Sequence, residues 1–352
     1  MNILVINPGG TSSKIAVYNR TKNIFNINIK HTQKDLEGFK TVFDQYSYRR
    51  DLIEKTLRDN NFQIRDFTCI VSRGGMMKPI EGGTYLINGN MIKDLKSRVY
   101  GEHASNVGAL IAKKMGDDYD LPAFVVDPVS VDEMMDISRI TGIKDLTIYS
   151  LFHALNQKAV CRKIASTLGG KYEDFNFLVA HLGSGVSVVA HRAGRMIDGS
   201  GGRISGPFSP ERAGSLPSYP LIELCYSQKY SHEEMVAKVS TKGGFYDYLR
   251  TKDIPEIEDR VKKGDQYAKL ILDAFIYQVS KEIAMFSASL YGRIDRIIIT
   301  GGIAYSDLIF EGIRERVGYL SQVIRVPGEM EMEALAYGAL RVITGQEKPK
   351  EY

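Results

Sequence analysis

At 352 residues the chain is long enough for two domains, each with its own core. Hydrophobic residues make up 43% and charged residues 25%, a globular balance that excludes disordered, fibrous and membrane-embedded classes. The 46 Lys and Arg against 42 Asp and Glu leave a net charge of +4, which gives no electrostatic reason to expect nucleic acid or a membrane surface as the main partner.

Residues 1–18 read as an apolar strand, a small-residue turn (NPGGTSSK) and a second strand, followed by a polar turn and an alternating strand at 24–29. A helix is predicted over 48–59, short strands over 68–71 and 84–87, helices over 90–99 and 105–115, and a strand over 123–126 ending at Asp127. A helix over 150–168 stops at Gly169-Gly170, and the domain change is expected near Ser150. Residues 177–198 then repeat the opening plan of apolar strand, Gly/Ser turn and β-branched strand, so the two halves share one design. After a Gly/Ser/Pro-rich loop at 199–220, whose first stretch 199–203 is read as mobile, come helices near 219–226 and 232–240 and a long one over 265–290. A third strand with a double-glycine turn lies at 296–307, with Ser306 as N-cap of a helix over 307–317. Strand 323–326 and helix 330–344 close the chain.

No stretch of about 18 apolar residues and no secretory leader is found, so the expected address is cytoplasmic. Cys69, Cys161 and Cys225 are odd in number and widely spaced, which suits buried reduced thiols rather than a disulfide framework or a thiolate metal site. His181 and His191 lack acidic partners at ligand spacing, so a structural metal is not expected.

Phosphate groups need several converging N–H donors, and glycine lets backbone approach closely enough to supply them. Three strand-exit turns have that character: Gly9, Gly10, Thr11, Ser12 and Lys14 in the first, Gly183, Ser184 and Gly185 beside His181 in the second, Gly301, Gly302 and Ile303 in the third. One such turn is weak evidence, but three, two of them in repeated halves, point to a nucleotide held between two domains. The Walker pattern fails because Lys14 follows Ser13 rather than Gly, and the dinucleotide fingerprint fails because the first turn leads into a strand rather than a helix.

These motifs, with VSRGG, VVDP, SLFHAL and ERAG in the same order, resemble the acetate/butyrate kinase family of the actin–hexokinase–Hsp70 superfamily over nearly the whole chain. NPGGTSSK, FHALNQKA and GEMEMEALAYGAL are closest to its butyrate kinase branch. The resemblance implies an α/β fold of two similar actin/ribonuclease H-like domains with a cleft between them. The domains would be residues 1–150, joined by the C-terminal helix 330–352, and a nucleotide-binding domain at 151–329. It also implies reversible transfer from ATP to a short-chain carboxylate, giving ADP and an acyl phosphate, with Mg²⁺ and at least a homodimer. Butanoate is the expected substrate, with acetate, propionate and isobutyrate as alternatives.

A carboxylate is already ionised at neutral pH and needs no general base. The site must instead hold two anions in line and take up charge on the equatorial oxygens. Arg73 and Arg212 suit that task, since a guanidinium stays charged and grips oxyanions with paired bonds. By resemblance His153 steadies the transferring phosphoryl group, His181 assists on the phosphate side, and His103 and Asn7 lie at the carboxylate. Asp127 is the candidate Mg²⁺ or catalytic carboxylate, and Glu331 and Glu333 compete for a second acidic position, with Glu333 preferred. A sugar or polyol kinase, which would want an Asp base, and an Hsp70- or actin-like ATPase are the competing readings.

Overall fold

A computed structural model describes residues 1–202 and 204–352; Arg203, at the end of the glycine-rich 199–203 stretch, lies outside the described residues. The chain divides into unit 1, Met1–Val131 with Ala154–Asn156 and Met330–Tyr352, and unit 2, Asp132–His153 with Gln157–Glu329.

Unit 1 is built on β1 (Asn2–Pro8), β2 (Ser12–Asn19), β3 (Lys22–Lys30), β4 (Cys69–Ser72), β5 (Thr84–Leu86) and β6 (Ala123–Val126), in the spatial order β3-β2-β1-β4-β6-β5. β1 is apolar on both faces from Ile3 to Ile6, the pattern of a strand covered on both sides, whereas β3 alternates Ile and Phe with Asn and Lys and forms the polar edge. Helices Tyr46–Asp59 and Ser105–Tyr119 bury Ile53, Leu57, Val107 and Ile111 with Leu4, Ile6 and Ile15 on one face. Helix Glu331–Ile343 packs on the other, where Gly338 is close enough to Val126 that a Cβ would collide with it. β1, β4 and β6 are parallel, with Ile6, Ser72 and Val125 in register. Asn7, Arg73 and Asp127 therefore emerge together at the carboxyl ends of three parallel strands, where open α/β sheets bind their ligands.

Unit 2 repeats the plan with β7 (Asn176–Leu182), β8 (Val186–Arg192), β9 (Arg195–Gly201), β10 (Arg296–Gly301) and β11 (Val323–Pro327), ordered β11-β10-β7-β8-β9. In each unit an antiparallel three-stranded meander passes its first strand to two parallel ones; unit 1 adds β5, antiparallel to β6, at the edge. Helix Gln266–Phe286 carries Phe275 and Val279 into the core of unit 2 against Phe208 and Phe245.

Several local expectations shift, among them Cys225, expected as a buried thiol but exposed on its helix. The chain leaves unit 1 at Asp132 rather than near Ser150, because Asp132 grips Arg139 through two 2.7 Å bonds while Glu133 pairs with Lys158 at 2.9 Å and accepts the Met196 N–H, all in unit 2. The helix expected from 150 starts at Ala154. Residues 199–201, read as part of a mobile loop, instead complete β9 by pairing with Ser187, Val188 and Val189 of β8. Helices Gly244–Leu249 and Ile254–Lys262 follow where the sequence reading had none.

Candidate active site

In unit 1 the first glycine turn is shaped from beneath. Gly9 N–H donates to the Ser12 carbonyl at 2.7 Å, closing the hairpin. Arg49, only 1% exposed, donates to the carbonyls of Gly10 and Ser12 and to Ser13 Oγ, each within 3.1 Å. A trans peptide sets its N–H opposite its C=O, so pulling the Gly10 carbonyl inward turns the Thr11 N–H away from Arg49, on the exposed side of the turn. Burial lowers the Arg49 pKa. His31 completes the support, with Nε2 2.9 Å from Ser13 Oγ; burial, then Arg49, lowers its pKa. Lys14 is exposed and lies opposite Asn7 in the β1–β2 ladder, so the two side chains share a face.

Beside that turn Asn7 Nδ2 donates to Glu331 Oε2 at 2.9 Å, and Arg73 Nη1 pairs with Glu331 Oε1 at 2.9 Å. Glu331 thus joins two of the expected site residues from the first turn of its helix. Glu333, the preferred alternative, does not take part; its charge is felt by Tyr18 and Tyr337. His103 accepts the Ser105 backbone N–H on Nδ1 at 3.1 Å, so in the neutral ring the hydrogen sits on Nε2. The protein packed around His103, and then Arg73, lower its pKa, Glu331 opposing them. Asp127 is 1% exposed, and its Oδ1 accepts the Gly83 N–H at 2.7 Å. Among the described residues no three His, Cys, Asp or Glu gather as a metal cage.

In unit 2 the Gly183–Gly185 turn links β7 to β8, closed by Gly183 N–H on the Gly185 carbonyl at 3.0 Å. His153, at the N-cap of helix Ala154–Thr167, stacks on His181 with centroids 3.9 Å apart and 14° between planes. Gly185 keeps room for two groups: a Cβ there would stand 3.1 Å from Arg212 Cζ and 3.4 Å from His153 Cε1. Arg212 also donates to the Gly202 carbonyl at 3.3 Å. Two histidines, one guanidinium and a glycine turn therefore meet at one point.

Next to them lies a pocket of about 400 Å³, lined in part by Gly183, Ser184, Lys252, Glu258, Gly302, Ile303 and Tyr305. Gly301 sits at φ +91° with the β7 backbone at Leu182 so close that a Cβ would collide with it, while a Cβ on Gly302 would meet nothing within 4 Å. Sequence reading brought Gly302 and Ile303 to this pocket but missed Lys252, Glu258 and Tyr305, which carry no motif of their own. It also missed Arg49, whose signal was available: an arginine at i, i+4 and i+8 with Ile53 and Leu57 on a buried helix face.

Comparison with known proteins supplies the remaining context. The model of the acetokinase family matches residues 144–324. The chain is 45% identical over 356 residues to butyrate kinase 1 of Clostridium acetobutylicum, covering 99% of each. Among solved structures, the acetate kinase of Porphyromonas gingivalis superposes with a TM-score of 0.81 at 16% identity, over 97% of this chain and 99% of that one. A propionate kinase from Francisella tularensis gives 0.77 at 19%, over 96% and 98%. At such identities the structural likenesses establish the fold alone.

Proposed function

The chain belongs to the acetokinase family, and from that premise we propose that it moves the γ-phosphoryl group of ATP reversibly onto butanoate or a similar short-chain carboxylate, giving ADP and the acyl phosphate. The observation that carries this reading is the meeting of Arg212, the His153–His181 stack and the Gly183–Gly185 turn beside a pocket whose volume suits a nucleoside.

In this reading Gly302 and Ile303 seat the nucleoside, the Gly183–Gly185 turn and His181 take the phosphates, and His153 and Arg212 stabilise charge on the transferred group. In unit 1 Arg73 and His103 Nε2–H hold the carboxylate, with the Gly9–Ser12 turn, Asn7 and Lys14 serving the acyl-phosphate end. Glu331 binds Arg73 through Nη1 alone, and a guanidinium has five N–H donors, so the pairing orients Arg73 without exhausting it. The nucleophile is already an anion, so the protein's work is alignment and charge stabilisation.

Mg²⁺ is part of the proposal. Asp127, Glu331 and the Asn7 amide present hard oxygen donors in unit 1, which fits a cation that binds one or two carboxylates and travels with nucleotide phosphates. When bound, it would offset charge on the β- and γ-oxygens. A cytoplasmic location and a homodimer or larger homo-oligomer belong to the same proposal, the assembly being measurable by light scattering. A polyol acceptor is disfavoured because a neutral hydroxyl makes no use of the cationic grip that Arg73 offers beside Asn7 and Glu331, whereas a carboxylate does.

Hydroxylamine trapping with ATP and straight-chain acids of two to five carbons tests the reading. Hydroxamate is expected, with kcat/KM highest at butanoate; phosphate release without hydroxamate for any acid would overturn it.

A further inference from the structure

Behind His153, in unit 2, runs a row of buried polar side chains that the phosphoryl chemistry leaves unused. His153, Gln157 and Cys161 stand at i, i+4 and i+8 along helix Ala154–Thr167 and share one face. Ser187 and His191 are four apart on β8 and share a face of that strand. Eight helical steps rise about 12 Å and four strand steps about 13 Å, so the two rows keep pace and interleave. His153 Nδ1 meets Ser187 Oγ at 2.8 Å, Gln157 Nε2 donates to Ser187 Oγ at 2.7 Å, His191 Nε2 meets Gln157 Oε1 at 2.8 Å, and Tyr172 Oη meets His191 Nδ1 at 2.6 Å. Gln157, Ser187 and His191 are 0% exposed.

The Gln157 amide sets the direction in which hydrogens run along this chain. With Nε2 spent on Ser187, Oε1 must accept, so His191 carries its hydrogen on Nε2 and offers a bare Nδ1 to the Tyr172 hydroxyl. Cys161 Sγ stands 3.6 Å from the same Nδ1, and burial pushes its pKa up, so the thiol keeps its hydrogen and faces Nδ1 as a second, weaker donor. Complete burial, then the ammonium of Lys158, holds the His191 pKa well below its usual range; Lys158 is itself paired with Glu133 at 2.9 Å. His191 is therefore neutral. Ser187 is fully buried and accepts from Gln157, and His153 Nδ1 is the side-chain acceptor within reach of its own hydrogen, so that hydrogen turns onto Nδ1.

We propose that Tyr172, His191, Gln157 and Ser187 are positioning residues whose hydrogen-bond relay fixes His153 as the Nε2–H tautomer, a neutral donor aimed at the transferred phosphoryl group. This rests on the role given to His153 above. Each bond polarises the next, so the buried end strengthens the donor at the site. A neutral His153 also stacks on His181 without cation repulsion.

Nitrogen-15 NMR of histidine-labelled, full-length protein reads the tautomer without reference to activity, with His153→Gln assigning the signal. The parent is expected to show His153 protonated on Nε2. In Ser187→Ala that signal redistributes between tautomers, kcat falls about 3- to 10-fold, and KM for ATP and butanoate stays within about twofold. Gln157→Met, similar in length, should do the same and carries the test if Ser187→Ala does not fold, whereas Tyr172→Phe should have a smaller effect. Nδ1 protonation in the parent, or an unchanged tautomer and kcat in both Ser187→Ala and Gln157→Met, would overturn the relay. A redistributed tautomer with unchanged kcat would uphold the relay and remove His153 from the reaction.

Discussion

Gly185→Ala isolates the geometry on which the unit 2 site depends. The new methyl would stand 3.1 Å from Arg212 Cζ and closer still to Nη1, so the guanidinium must move by about 1 Å to regain ordinary van der Waals separation. The obstacle is the far end of a flexible side chain rather than backbone, so the fold should accommodate it, with a stability change under about 1 kcal/mol. Rate is less forgiving: a misplacement of about 1 Å at a reacting centre costs roughly 100-fold, about 2.7 kcal/mol of transition-state stabilisation. The hydroxamate assay should show kcat falling by about that factor, while urea unfolding gives the parent's midpoint. A kcat within about threefold of the parent would refute the placement of Arg212 at the transferred group.

Gly301, which ends β10, and Gly302, just after it, should separate stability from binding. Gly301→Ala forces a Cβ into the Leu182 backbone at a φ of +91° and should lose about 1–3 kcal/mol in denaturant unfolding; Gly302→Ala should fold normally and raise KM for ATP, and equal effects on stability would contradict the pocket assignment. Glu331→Gln removes a charged partner from both Asn7 and Arg73 and should lower kcat/KM about 10- to 100-fold, whereas Glu333→Gln should stay within about twofold; the reverse ranking would return the acidic role to Glu333. Three histidines, His31, His103 and His191, have folded pKa values lowered from 6.5. The unfolded chain then binds more protons between the folded values and about 6.5, so stability is full above that window and declines as pH falls through it. Urea titrations at pH 7.5, 6.5 and 5.5 should show this fall, with a shallower slope in His191→Gln; a flat or rising profile would contradict the lowered values.

The local grammar was legible in the sequence. The apolar runs of β1 and β7, the glycine turns that follow them and their repetition in the second half specify two like α/β sheets, because strand burial and tight turns depend on residues adjacent in the chain. The same logic brought Asn7, Arg73 and Asp127 to strand ends, since parallel register needs only the strand boundaries. Side-chain partnership was not legible. Glu331 and Glu333 are equally acidic and two positions apart, but a helix turns about 200° between them, and only the packing of Gly338 and its neighbours onto β6 decides which one reaches Arg73. Likewise, the spacing of Arg49 with Ile53 and Leu57 marks it for a buried helix face but not its partners Gly10, Ser12 and Ser13, and Gln157, Ser187 and His191 join across about 30 residues once helix and strand rows fall into step. Patterns along the chain determine which elements form and where they turn; the rotation and approach of those elements, a property of the packed core alone, determine which side chains meet.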